Sequence, residues 1–320
     1  MTNQPIGLKS VGVYIPTDTK DIIVEDEYIQ KITRATNKLP TFTMAHHAFN
    51  DMYEKSSIDG RKVDQFIYMN DSFADHLYLM NSRSVLNRVG VDRCLTYNMY
   101  QGGNSSLLGC KFAVDHLKVD ENLNHSIVGA CSHWEYHSEN RRLGEAVLGD
   151  GAAVAHFEKG HSDFQFISFA SKTIGKYNDI NYLAVGGYRH PLIEENIKNG
   201  EFVFKVHNKK NYRELLSRTA VYSSNLLTQA MEKVNLTDQD IKLYVLHSHS
   251  HTLSKQFVNH RNLSDSKVLE TVTDYGYMGS AGLLMALDKM MKDNRIDKGS
   301  YVAVIPMGVD GNFSSAIVKV

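Results

Sequence analysis

The chain has 320 residues, with 35 Lys and Arg against 36 Asp and Glu and a formal net charge of -1. That balance excludes the strongly basic footprint of a nucleic-acid binder. Hydrophobic residues make up 42% and charged residues 22%, which excludes an intrinsically disordered chain and leaves apolar material for a large core.

Cys94, Cys110 and Cys131 are the three cysteines, too few and too irregularly spaced for a disulfide framework or a zinc motif. They fit a reducing, cytoplasmic setting. No basic segment followed by an apolar run opens the chain, so no signal peptide is expected. No run of ~18 apolar residues is present to form a membrane-spanning helix.

In chain order, the pattern predicts a helix over Met44 to Lys55 and strands at Phe66 to Asn70 and Leu95 to Tyr100. A helix over Ser105 to Leu117 follows, then strands at Ser126 to Cys131 and Ala152 to Glu158. The stretch 160–210, rich in Gly, Asn and Tyr, reads as an insertion. Beyond it come a helix over Arg213 to Val234, a strand at Leu243 to His247 and a helix over Ala281 to Met291. Strands at Tyr301 to Met307 and Ser314 to Val320 end the chain. Alternation of this kind predicts an α/β layered architecture.

The chain also matches itself. A spacing of 176 pairs Asp64, Ile67 and Tyr68 with Asp240, Leu243 and Tyr244. The same spacing pairs Gly103-Asn104-Ser105-Ser106-Leu107-Leu108 with Gly279-Ser280-Ala281-Gly282-Leu283-Leu284. A shorter spacing of 160 pairs Asp150-Gly151 with Asp310-Gly311, each pair between two strands. A duplicated unit is expected, with halves 1–165 and 166–320.

In the first half a strand enters a helix through Gln101-Gly102-Gly103-Asn104-Ser105. Small residues there admit a ligand or a second backbone, and free N–H groups at a helix start favour developing negative charge. A plain tight turn has the same sequence.

These paired landmarks resemble the thiolase-like fold, a duplicated five-layered αβαβα arrangement, and within it the β-ketoacyl-ACP synthase III family. The resemblance rests on Asp26-Glu27-Tyr28-Ile29, Leu148-Gly149-Asp150-Gly151-Ala152-Ala153 and Asp240 through His247. It continues from Tyr275-Gly276 through Asn294-Arg295-Ile296 to Ala316-Ile317-Val318, so it covers nearly the whole chain. It implies an acyltransferase in which a helix-start Cys is acylated by a thioester, while a His and an Asn assist decarboxylation of a malonyl thioester. The family His falls on His247. Where the family carries the Asn, this chain has Tyr277, either a hydrogen-bond donor or an aromatic filler. The family Cys falls on Gly103, which offers no nucleophile.

Backbone N–H groups at Gly103 and Asp310 are the implied oxyanion donors. Tyr28, Lys31 and Arg34 fall where relatives meet coenzyme A. No cofactor is implied beyond the coenzyme A or acyl-carrier-protein thioester that serves as substrate. His247-Ser248-His249-Ser250-His251 would set three imidazoles on one face of an extended strand, but no carboxylate or Cys stands at zinc-like spacing, so no metal is expected.

Two functions remain open. One is acyl transfer or condensation in fatty acid, polyketide or specialised metabolite biosynthesis, with Gly103, His247 and Tyr277 in place of Cys, His and Asn. The other is a catalytically silent subunit paired with a Cys-bearing homologue. Either implies a homodimer or heterodimer, with no nucleic acid and no membrane span.

Overall fold

A computed structural model describes residues 4–24, 28–35, 39–76, 79–135 and 138–320. The first half opens with β1 (Ile6–Tyr14) and a hairpin of β2 (Asp18–Val24) and β3 (Tyr28–Arg34). It continues through α1 (Thr41–Ser56), β4 (Gln65–Asn70), α2 (Asn81–Val89), β5 (Leu95–Met99), α3 (Ser105–Val119) and β6 (His125–Ser132). A small pair, β7 (Arg142–Leu143) and β8 (Ala146–Val147), precedes β9 (Gly151–Lys159).

The second half runs β10 (Gln165–Thr173), β11 (Asn181–Leu183), α4 (Glu194–Lys198), β12 (Phe204–Val206), α5 (Lys209–Glu232) and β13 (Ile241–Ser248). Then follow α6 (His251–His260), β14 (Val268–Glu270), α7 (Val272–Tyr275), α8 (Gly279–Met291), β15 (Tyr301–Met307) and β16 (Asn312–Lys319).

Ten strands form one sheet in the order β14-β13-β15-β16-β10-β1-β9-β6-β4-β5. Read from either end, the order has the same logic. β4 lies parallel to β5 and β6, and β13 lies parallel to β14 and β15. β9 is antiparallel to β6 and β1, as β16 is to β15 and β10. The halves join through Gly7 opposite Gln165. Even the irregularities match: a register shift between Leu8 and Ser10 in β1 recurs between Phe166 and Ser168 in β10.

The two-residue period of a strand sorts its side chains into layers. In β4, Ile67 and Met69 enter a central core, whereas Phe66 and Tyr68 join a different, outer one. In β13, Leu243 and Val245 face the same central core, and Tyr244 and Leu246 face the opposite outer layer. α3 and α8 supply the middle layer with Leu107, Ala113, Leu117, Leu283, Leu284 and Leu287. α1 and α2 cover one outer face, and α5 and α6 the other. The result is the expected αβαβα layering, and it directs the starts of α3 and α8 toward one another's half.

One expectation is overturned here. The stretch 160–210 contains β10, which sits at the centre of the sheet and is no insertion. Only alternate residues of β10 are buried, and its outward Ser, Lys and Thr give it a loop-like composition. β1 is disguised similarly by Gly12, where an added Cβ would stand 2.0 Å from the Ala48 carbonyl oxygen, so closely does α1 cross it.

Candidate functional site

Gly103 lies in the turn between β5 and α3, next to Gly102, whose φ of +59° suits glycine. Its N–H donates to Asp310 Oδ2 at 2.8 Å, across 207 residues of sequence. The sequence assigns this N–H to an oxyanion, but the protein's own carboxylate already occupies it. The physical reason is that a helix start attracts the nearest anion, and the β15–β16 turn delivers Asp310 there. Ser105, the nearest hydroxyl, is buried, accepts from the Gln101 N–H at 2.6 Å and donates to the Gly102 carbonyl at 2.7 Å. Asn104 ties the same turn to the second half, donating to the Asn312 carbonyl at 2.6 Å and accepting from Ser314 Oγ at 2.9 Å.

The space beside Gly103 is not empty. A Cβ built there would stand 1.9 Å from the phenol oxygen of Tyr277 and 3.1 Å from its Cζ. Tyr277 therefore fills the volume that a side chain at position 103 would need. Its main chain is clamped, with its N–H on the Val147 carbonyl at 2.7 Å and its carbonyl accepting from Gly149 N–H at 3.1 Å. Its ring stacks on His247 at 5.3 Å between centroids and 8° between planes, and meets His249 edge-on at 5.2 Å and 67°. Burial raises its pKa, and the carboxylates of Asp310 and Asp71 and the Tyr100 phenol push further the same way, so the phenol keeps its proton.

His247 is 1% exposed, with Nδ1 3.1 Å from Thr271 Oγ1 and no hydrogen-bond partner on Nε2. Its ring lies flat on Gly282 of α8, where a Cβ would come within 2.0 Å of Cε1. Burial pulls its pKa down to about 3, the Gly279 backbone opposing weakly. His249 is equally buried and depressed to about 3, its Nε2 3.1 Å from the Tyr212 hydroxyl. His251 departs from the expected strand face: β13 ends at Ser248, Ser250 caps α6, and His251 opens that helix with Nδ1 2.7 Å from Glu270 Oε2. Among the described residues no group of three or more His, Cys, Asp or Glu side chains is arranged to hold a metal ion.

Tyr277 and Gly103 line a cavity of about 270 Å³ together with Asp71, Tyr100, His249 and Asp310. Asp71, which the sequence reading missed, caps α8 by accepting from the Ser280 N–H, while its Oδ1 has no partner. The two carboxyls thus sit at the starts of opposite helices, each supplied by the other half. Burial lifts Asp71 to about 7 and Asp310 to about 6, and the charge of Asp310 adds to the rise at Asp71. A signal for Asp71 was present, because the 176-residue spacing that pairs Tyr68 with Tyr244 places Asp71 opposite His247.

None of the cysteines lines this cavity. Cys110 and Cys131 are buried with raised pKa, and burial pushes the Cys94 thiol up to about 11, so none has thiolate character. Of the expected coenzyme A contacts, the Tyr28 side chain lies outside the described residues, as do Asp26 and Glu27 of the stretch that carries the resemblance. Lys31 is exposed, and Arg34 Nε is 3.0 Å from Asp18 Oδ2; neither lines the cavity.

Asp150 of the paired Asp-Gly motif is structural. It accepts from Ala35 N–H and Trp134 N–H, each at 2.8 Å, and from both terminal nitrogens of Arg141, at 2.9 and 2.8 Å. This clamp fixes the segment that holds Tyr277 from behind.

A duplicated αβαβα chain whose two central helices start at one shared cavity belongs to the class of thiolase-fold proteins. Among solved structures, 3-oxoacyl-[acyl-carrier-protein] synthase III from Aquifex aeolicus superposes with a TM-score of 0.83 at 13% identity, covering 98% of this chain and 100% of that one. Xanthomonas campestris OleA with bound lauric acid and lauroyl-CoA gives 0.82 at 15% identity, with 100% of both chains covered. Residues 231–320 match the family described as 3-Oxoacyl-[acyl-carrier-protein (ACP)] synthase III C terminal. The β-ketoacyl-[acyl-carrier-protein] synthase III of Fusobacterium nucleatum is 23% identical over 329 aligned positions, which span 99% of each chain. Within the thiolase fold, these similarities are to ketosynthase III proteins.

Proposed function

We propose that the protein handles acyl thioesters without an acyl-cysteine intermediate, passing the acyl group directly to an acceptor in the cavity beside Tyr277. The observation that carries this reading is the phenol of Tyr277, neutral and set in the space beside Gly103, the position to which the resemblance assigns the nucleophile. There it donates a hydrogen bond to the thioester carbonyl oxygen as negative charge develops. Asp71 takes the proton of the attacking acceptor, the C–S bond breaks, and the released thiolate is protonated. His247, sealed beneath the Tyr277 ring, serves as a positioning residue. Coenzyme A or an acyl carrier protein would supply the thioester, in a cytosol suited to three free cysteines.

The test is purified protein with lauroyl-CoA and a mixture of small nucleophiles, following thiol release and intact mass. Thiol release without a covalent adduct is expected, with a loss of at least tenfold in Tyr277→Phe. His247→Ala should lower the rate while leaving the pH profile of what remains in place, because a buried positioning ring contributes no titration. An acyl adduct on any cysteine, or full activity in Tyr277→Phe, refutes the proposal.

The silent-subunit reading draws on a different observation. β5 closes the sheet with an outer edge that no described strand pairs, with exposed Leu95, at 53% exposure, at its start and Tyr100, at 71%, just past its end. Such an edge suits pairing with the same strand of a second copy or of a Cys-bearing homologue. A stable homodimer that releases thiol by itself removes the need for the homologue.

A further inference from the structure

We propose that the cavity beside Tyr277 receives the protonated amine of an acyl acceptor, so that the product is an amide. This rests on the reading of the protein as an acyl-thioester transferase and adds the class of its second substrate. Three observations support it.

The first is charge. Asp71 and Asp310 both line the cavity, and among the described residues that line it there is no Lys or Arg. Among the described lining residues the one ionisable nitrogen belongs to His249, which burial keeps neutral. Two carboxyls without a counter-ion favour a cation and repel the carboxylate of a malonyl group.

The second is an unused acceptor. Asp310 has both oxygens engaged, Oδ2 by the Gly103 N–H and Oδ1 by the Asn312 N–H at 2.9 Å. Asp71 has Oδ2 engaged, and its buried Oδ1 has no hydrogen-bond partner among the described residues, which leaves a hydrogen bond unmade where desolvation is costly. An ammonium group supplies the missing donor.

The third is the wall. Tyr100, Trp134, Phe204 and Tyr277 face the same cavity, and Trp134 stacks on Phe204 at 5.8 Å between centroids. Aromatic faces beside carboxylates are the surroundings that recognise organic ammonium ions.

The chemistry balances. R–NH3+ gives one proton to the Asp71 carboxylate, the freed amine nitrogen attacks the thioester carbon, and a C–N bond forms as the C–S bond breaks. The second nitrogen proton passes to the leaving thiolate, and Asp71 returns its proton to solvent.

Calorimetric titration of the full chain with n-butylammonium chloride, n-butanol and sodium butyrate compares equal shapes of different charge. The ammonium should bind at least tenfold more tightly than the alcohol, with butyrate weakest. Asp71→Asn should erase that ranking, and the wild-type ranking stands as a test even if the variant folds poorly. No binding of the ammonium, or butyrate binding as tightly, overturns the proposal. Thiol release from lauroyl-CoA with n-butylamine, n-butanol or water as acceptor then separates the two readings. Release with water or alcohol alone overturns the amine and leaves acyl transfer standing. Ammonium binding without thiol release under any acceptor overturns acyl transfer and leaves the cation site.

Discussion

Replacing Gly103 by alanine sets one methyl group against one phenol. The backbone at Gly103 is not in the left-handed region, so alanine meets no conformational penalty and gains ~0.4–1 kcal/mol from a less flexible unfolded chain. Against this stands a contact of 1.9 Å with the Tyr277 oxygen. The phenol cannot swing clear, because its ring is stacked on His247 and edged by His249, and its backbone is bound on both sides to the segment Val147 to Gly149. Overpacking of a fixed core costs ~1–3 kcal/mol, so Gly103→Ala should destabilise by roughly 1–2 kcal/mol after the entropic gain is subtracted.

Tyr277→Asn removes a buried ring and should by itself cost about 3 kcal/mol or more. Once it is made, the methyl group has room, and Gly103→Ala should become neutral or stabilising. The coupling in this double-mutant cycle is therefore ~1–3 kcal/mol in favour of the pair. Urea unfolding followed by the single tryptophan, Trp134, reads each midpoint at unchanged slope. Equal costs of Gly103→Ala in both backgrounds would refute the complementarity, as would a wild-type background in which alanine is harmless.

Three further predictions follow from the same geometry. Gly282→Ala presses a methyl group to within 2.0 Å of the His247 ring and should destabilise by ~1–3 kcal/mol, with relief in His247→Ala, measured by the same unfolding cycle. Asp71 has its pKa raised from 3.8 to about 7, so the folded state holds the proton more tightly than the unfolded one and stability falls as pH rises across that window. Asp71→Asn should flatten this decline, recovering up to ~4 kcal/mol at pH 8 relative to pH 4, and identical pH slopes in both proteins would count against it. Asp150→Ala leaves the buried Arg141 guanidinium with Glu135 as its remaining carboxylate and strips two backbone N–H groups of their acceptor, and a loss of ~3 kcal/mol is expected in thermal or urea unfolding.

Much of the fold was legible because period and spacing are local properties. The pairing of Tyr68 with Tyr244 and of Ile67 with Leu243 put equivalent residues on equivalent faces, and the two outer cores and the central one follow from that alternation. β1 and β10 were harder to see because a central strand with glycines or a polar face lacks the apolar run that marks β6 or β15. The strand ending at His247 was legible to within a residue, whereas the turn into α6 was not, because Ser250 begins that helix through a side-chain cap to the Leu253 N–H, a signal weaker than the alternating histidines.

The sequence by itself determined the duplicated pattern of strands and helices, and its resemblance to ketosynthase III proteins singled out Gly103, His247 and Tyr277 as the positions to look at. It could not determine what those positions do, because each is completed by a group far away in the chain. Only the tertiary structure set Asp310 on the Gly103 N–H and the Tyr277 phenol in the space beside Gly103. Only the meeting of the two halves put Asp71 in the same cavity as Asp310. The reason is physical: residue type and period decide which face of an element is buried, whereas proton affinity, access and charge at a site are set by neighbours that packing brings in from elsewhere.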